Sequence, residues 1–184
     1  MEHSNSKRKN VGRFGLVLFV LLAANIAYCS SLKTVYDSQI GVRELTGNND
    51  GSEVEAYLAY AGHKKGAPWC AAFVGWCHAQ AGVNAPRSAW SPDWFKTNVV
   101  YRRDWRKDYP PPEPGMVFGL WFQNLGRVAH VGFIDGGDSK SYITVEGNTN
   151  GAGSREGDGV CRKKRLKSSI YIISKYNEKN ICKN

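Results

Sequence analysis

The chain has 184 residues and carries 25 Lys and Arg against 16 Asp and Glu, a net charge of +9. Hydrophobic residues make up 42% and charged residues 22%, the composition of one globular domain rather than a disordered chain. A polytopic membrane protein is excluded because only one stretch is apolar enough to consider, and a disulfide-built miniprotein because five Cys are too sparse for this length. The charge is uneven along the chain. Residues 1–29 hold four basic residues against one acidic, residues 155–184 nine against three, and residues 30–154 twelve against twelve. The excess therefore sits at the two ends.

The first end reads as an export signal. Lys7-Arg8-Lys9 precedes an apolar run from Phe14 to about Ala24, and small residues follow. The run is short of the roughly 20 apolar residues that span a membrane. Ala27-Tyr28-Cys29 before Ser30 suits a signal peptidase. A lipidated Cys29 and an uncleaved anchor are the alternatives, and each of the three takes the rest of the chain out of the cytoplasm. The expected organisation is a signal peptide or membrane anchor over 1–29 and a single domain over 30–184, in the periplasm, in the cell envelope or secreted.

Leu32, Val35, Tyr36 and Ile40 share one helical face in Ser31–Ile40, and Gly41 ends it. Thr46 to Gly51 is a loop. Ser52 is expected as an N-cap, with Glu55 completing a capping box, for a helix to about Ala61. Pro68 suits the first position of the next helix, which runs to Ala81 before Gly82 and is apolar almost all round, as a central buried helix would be. A short helix is expected from Ser91 to about Asn98. Tyr101–Tyr109 reads as an exposed excursion, and Pro110 to Gly115 breaks regular structure. Met116–Phe122, Ala129–Asp135, Ser141–Glu146, Val160–Leu166 and Ile170–Lys175 are rich in β-branched and aromatic residues and read as antiparallel strands. Helices first and strands later indicate an α+β domain.

Cys70 lies in the first turn of the central helix. Free N–H groups and the partial positive charge there favour a thiolate, a nucleophile that needs a partner base. Cys77 is two turns further on, about 10 Å along the axis, out of disulfide reach. His130 opens a strand among apolar neighbours and is the only His in the strand region, whereas His3 lies in the leader, His63 in a loop and His78 on the helix as a structural residue. Cys70, Cys77 and His78 lack the paired spacing of a zinc site, and no metal or other cofactor is expected. Glu146 ends the strand after that of His130. If the two pair as a hairpin they are neighbours, and a carboxylate there, or the amide of Asn148 in the following turn, would orient the imidazole. The plain alternatives are a small buried Cys, a core His, a solvated strand end for Glu146 and a turn residue for Asn148.

Four stretches taken together resemble a known family: Pro68-Trp-Cys-Ala-Ala-Phe-Val74, Pro114-Gly-Met-Val-Phe118, His130-Val-Gly-Phe133 and Val145-Glu-Gly-Asn148. Their order is similar to that of the CHAP family, the cysteine, histidine-dependent amidohydrolases/peptidases of bacterial and phage cell-wall enzymes. The resemblance covers about residues 35–175. One departure is Met116, where the family often has Asp. The resemblance implies a papain-like fold, with N-terminal helices packed on a C-terminal antiparallel sheet of about five to six strands. It implies Cys70 as nucleophile, His130 as base and then acid, Glu146 orienting His130, and Asn148 helping to position the imidazole or the intermediate. The implied reaction is cleavage of an amide in peptidoglycan, at the sugar–peptide junction or within the peptide. Trp69, Trp90, Trp94 and Trp121 are candidates to line a substrate cleft, with ordinary packing as the alternative for each.

A non-catalytic cell-wall-binding protein on the same fold is the alternative from another class, and it would require a missing nucleophile or base. Nucleic-acid recognition is not expected, because Arg162-Lys163-Lys164-Arg165 lies on a strand without interleaved aromatics. The basic C-terminal segment is expected instead to attract the chain, as a monomer, to an anionic envelope surface. Cys161 and Cys182 could pair after export.

Overall fold

The computed structural model describes residues 30–151 and 157–177. The leader, Cys29 and Cys182 lie outside these residues. Three helices come first: α1 (Leu32–Ser38), α2 (Ser52–Tyr60) and α3 (Cys70–Gln80). Six strands follow: β1 (Val99–Arg102), β2 (Met116–Phe122), β3 (Arg127–Gly137), β4 (Ser141–Thr149), β5 (Gly159–Leu166) and β6 (Ile172–Ser174). All neighbours in the sheet are antiparallel, in the order β1-β6-β2-β3-β4-β5. The architecture is α+β, with N-terminal helices over a C-terminal sheet.

Helix α3 is the centre of the packing, as its all-round apolar sequence required. It contacts α1 and α2 on one side and β3 and β4 on the other. Phe73, Val74 and Cys77 of α3 join Tyr57 and Leu58 of α2 and Val131, Phe133 and Val145 of the sheet in one buried cluster. A second cluster on the opposite sheet face holds Phe118, Ile134, Tyr142 and Ile173. Two closely approached surfaces decide where α3 sits. A Cβ on Gly147 would lie 2.7 Å from Trp69 Cζ3 and 2.8 Å from Phe73 Cγ, so only a residue without a side chain lets α3 reach β4.

Several local expectations shift. The N-cap of α2 is Gly51 at φ 105°, and Ser52 is already helical. Half of the capping box survives one residue earlier, since the Gly51 N–H donates to Glu55 Oε1. Pro68 precedes the helix, and Trp69 is the N-cap of α3. Ser91–Phe95 is a 3-10 turn, shorter than the expected helix. The stretch from Tyr101 is not simply an exposed excursion: Tyr101 sits on β1, is buried, and stacks on Tyr109 with ring centroids 4.4 Å apart. Alternation was hidden there because the surrounding charges lie on an edge strand.

The basic stretch on β5 is also corrected. Arg162 pairs with Asp37 and Asp135, Lys163 donates to Thr149 Oγ1 and the Asn150 carbonyl, Lys164 pairs with Asp138, and Arg165 pairs with buried Glu146. Each of these four cations has a partner within the fold, although Arg162 and Lys164 remain exposed. Cys161 carries no disulfide to another described residue.

Gly147→Ala should destabilise the protein by about 1–3 kcal/mol, because the added methyl must push α3 off β4. A denaturant midpoint indistinguishable from that of the parent would show that this contact is not limiting.

Candidate active site

Cys70 is the first residue of α3, and Asn148 fixes where that helix begins. The Trp69 N–H donates to Asn148 Oδ1 at 3.1 Å, while Asn148 Nδ2 donates to the Gly157 carbonyl and to Asn49 Oδ1. Asn148 itself stands at φ 55°, a left-handed conformation that Asn tolerates better than most residues. The side chain expected to act on the imidazole or the intermediate thus binds the backbone preceding Cys70, and the three bonds made by its amide go to Trp69, Gly157 and Asn49.

His130 and Glu146 do meet. The Nε2–H of His130 donates to Glu146 Oε2 at 2.8 Å, and both side chains are essentially inaccessible to water. The sheet register accounts for this contact. Phe133 pairs with Val145, which sets Gly132 beside Glu146 on the same face as His130. A Cβ at Gly132 would lie 2.9 Å from Glu146 Cγ, so the missing side chain opens the path by which the carboxylate reaches the ring. A β-bulge precedes His130: Leu120 pairs with His130 but Trp121 with Val128, leaving Ala129 as the extra residue.

Glu146 is held by more than His130. Arg165 donates from Nε to Oε1 at 2.5 Å and from Nη2 to Oε2 at 2.6 Å, and the Thr144 hydroxyl donates to Oε1 at 2.6 Å. Burial alone would raise the carboxyl's pKa, but Arg165 and His130 hold it well below the usual carboxylate range. Arg165 and Thr144 were not expected in the site. Arg165 sat within a run of cations that looked like surface. Only the β4–β5 pairing, which sets Tyr142 opposite Arg165, places it on the Glu146 face.

At the other end of this chain lies the thiol. His130 Nδ1 has no hydrogen-bond partner of ordinary geometry, and after burial the strongest influence on the imidazole is the Cys70 sulfur. Burial disfavours the imidazolium, yet Cys70 and Glu146 together raise the His130 pKa to about 9. For Cys70, burial again opposes charge, but His130, the Ser91 hydroxyl and the Val131 N–H outweigh it and hold the thiol below its ordinary value. The Ser91 hydroxyl lies 3.7 Å from the sulfur. The arrangement favours a thiolate–imidazolium pair. Cys77, without such neighbours, is pushed up by burial. His78 falls to about 4 through burial, with Nδ1 against the Val74 carbonyl.

Cys70 opens onto a cleft of about 200 Å³ whose walls include Pro68, Trp90, Ser91, Arg127 and Ala129. Of the four expected Trp residues, only Trp90 lines it. Trp69 and Trp94 are fully buried. The Trp69 indole N–H donates to Glu44 Oε1, and its ring packs on Tyr57 and Phe73. Trp121 is exposed but stacks on Tyr171 away from the cleft. Among the described residues no group of three or more His, Cys, Asp or Glu is placed to hold a metal ion.

Residues 62–148 match the family model of the CHAP domain. The span contains Cys70, His130, Glu146 and Asn148 and ends before Arg165, and it places this segment in the CHAP family, whose members are typically cysteine- and histidine-dependent amidohydrolases or peptidases acting on peptidoglycan. No curated protein and no solved structure matches the chain.

Two outcomes follow from the geometry. At pH 7 an ordinary thiol is only a few per cent thiolate, so iodoacetamide should alkylate Cys70 about tenfold faster in the native chain than in His130→Ala, with Cys77 unreactive until unfolding, as read by mass spectrometry of the peptides. Arg165→Met should cost about 3–5 kcal/mol by stranding a buried carboxylate. The double variant Arg165→Met/Glu146→Met should recover much of that loss in a denaturation curve, and a double variant no more stable than the single one would contradict the pairing.

Proposed function

We propose that the protein is an exported peptidoglycan hydrolase that cleaves an amide bond through Cys70 and His130. The observation that carries this reading is the continuous buried chain from Arg165 through Glu146 and His130 to a thiol at the floor of an open cleft. The Cys70 thiolate attacks the carbonyl carbon. The free N–H groups of the first turn of α3 and the Ser91 hydroxyl, 3.7 Å from the sulfur, are the donors that would stabilise the negative charge developing on oxygen. His130 gives its proton to the leaving amine, which departs and leaves a thioester. His130 then takes a proton from water, and the hydroxide releases the acid product and the free thiolate. Glu146 keeps Nε2 protonated and the ring facing the sulfur, and Asn148 acts one step back by seating the start of α3.

The substrate bond is the amide joining sugar to peptide, or one within the stem peptide. Export by the basic, apolar leader matches an extracytoplasmic substrate. A non-catalytic wall-binding role has no observation in its favour, because nucleophile, base and orienting carboxylate are all in place.

Digestion of purified sacculi by the chain and by Cys70→Ala, with fragments identified by mass spectrometry, tests the proposal. The parent should release fragments and the variant should not, a loss of at least about a thousandfold. New lactyl ends on glycan would mark an amidase, and new peptide termini an endopeptidase. Activity should fall as pH rises through about 9, where His130 loses the proton owed to the leaving amine. Equal release by the parent and Cys70→Ala would refute the mechanism.

A further inference from the structure

The cleft beside Cys70 carries a feature that the reaction itself does not use. Its walls are mostly apolar, but Arg127 stands at its rim, two residues before Ala129 on β3, and stacks on Trp90 with the guanidinium carbon 3.9 Å from the ring centroid. Trp90 is half exposed. A guanidinium has five N–H donors, of which, among the described residues, one on Nη1 is given to the Val128 carbonyl at 3.1 Å. Among the described residues no carboxylate pairs with Arg127, although Arg43, Arg102, Arg162 and Arg165 all have one. Nor does any Asp or Glu line the cleft, where the other titratable wall residue apart from the thiol is His63.

Stacking on an indole fixes the plane of a guanidinium without consuming its edge donors. A cation so arranged is prepared for a planar anion that accepts two parallel N–H bonds, which is a carboxylate. Arg127 and Cys70 line the same cleft, so an anion held by the guanidinium would lie close to the bond at the sulfur. We propose that Arg127 and Trp90 form a carboxylate subsite that selects peptides bearing a free acidic group close to the scissile amide, and that discriminates against the same peptides when that group is amidated. The proposal rests on the reading of Cys70 as nucleophile only for which bond lies at the sulfur; the anion site itself stands on the Arg127–Trp90 geometry.

The test uses binding rather than turnover. The full chain carrying Cys70→Ala is titrated calorimetrically with soluble disaccharide–peptide fragments whose stem-peptide carboxylate is either free or amidated. The free acid should bind about 10- to 100-fold more tightly, the range of a charged hydrogen-bonded contact. Adding Arg127→Gln should abolish the preference, and Trp90→Ala should weaken it, with circular dichroism confirming that each variant is folded. Arg127→Lys should restore only part of it, since a point charge cannot form two parallel bonds. Equal affinity for the two ligands, or a preference that survives Arg127→Gln, would overturn the subsite. A preference that depends on Arg127 would uphold it even if the chain with Cys70 intact released nothing from sacculi, an outcome that would remove the hydrolase and leave the anion site standing.

Discussion

The end of β4 is the constraint on which the site depends. Three consecutive residues there, Glu146, Gly147 and Asn148, face in different directions along one extended stretch. Glu146 reaches across the space left by Gly132 to His130. Gly147, pointing to the opposite face, leaves the gap into which Trp69 and Phe73 of α3 press. Asn148 turns into a left-handed conformation and takes the Trp69 N–H. One short segment therefore fixes the imidazole, the depth of α3 and the point at which that helix begins. Cys70 and His130 are 60 positions apart in the chain, and their relative placement is set through this shared neighbour.

Electrostatics impose a second order on the same parts. Burying an isolated carboxylate, imidazolium or thiolate is costly, and each of them here is almost entirely buried. The arrangement favours alternating charge: Arg165 and His130 hold Glu146 ionised, Glu146 and Cys70 favour the imidazolium of His130, and His130 favours the thiolate of Cys70. Each member offsets the desolvation of its neighbour. A chain of this kind gives up stability for a reactive group only at its open end, where the cleft admits a substrate. Ser91 and the Val131 N–H supply the remaining stabilisation at that end without adding charge that would need its own partner.

Much of this was legible in the sequence, because local rules govern it. The apolar α3, the late alternating strands and the succession of Cys, His and Glu each follow from periodicity or position, and so does the adjacency of His130 and Glu146 once β3 and β4 are a hairpin. What escaped depends on pairings between distant residues. Arg165 resembles Arg162 and Lys164 in sequence, and only the β4–β5 register separates a buried partner of Glu146 from these exposed cations on the other face. Trp69 precedes the nucleophile and so suggested a cleft wall, yet as the N-cap of α3 its ring turns inward to Glu44, a residue 25 positions earlier. Asn148 showed the right residue type for orienting an imidazole, but its left-handed backbone aims the amide at the chain before Cys70. Tyr101 was masked by the charges of an edge strand, where one row of side chains can be buried while its neighbours remain wet.

The net charge of +9 takes a different meaning once these pairings are known. Read as a sum, it suggested a cationic segment seeking an anionic surface. Read residue by residue, Arg162, Lys164 and Arg165 of the dense run each face a carboxylate, and Lys163 donates to a carbonyl. A cation influences a ligand only where it is both unpaired and near the path of approach. Arg127 meets both conditions among the described residues: it has no carboxylate partner, one face lies over the Trp90 ring, and it lines the thiol's cleft. On the proposed reading, the cation that recognises a ligand beside the thiol lies in the electrically neutral body of the chain.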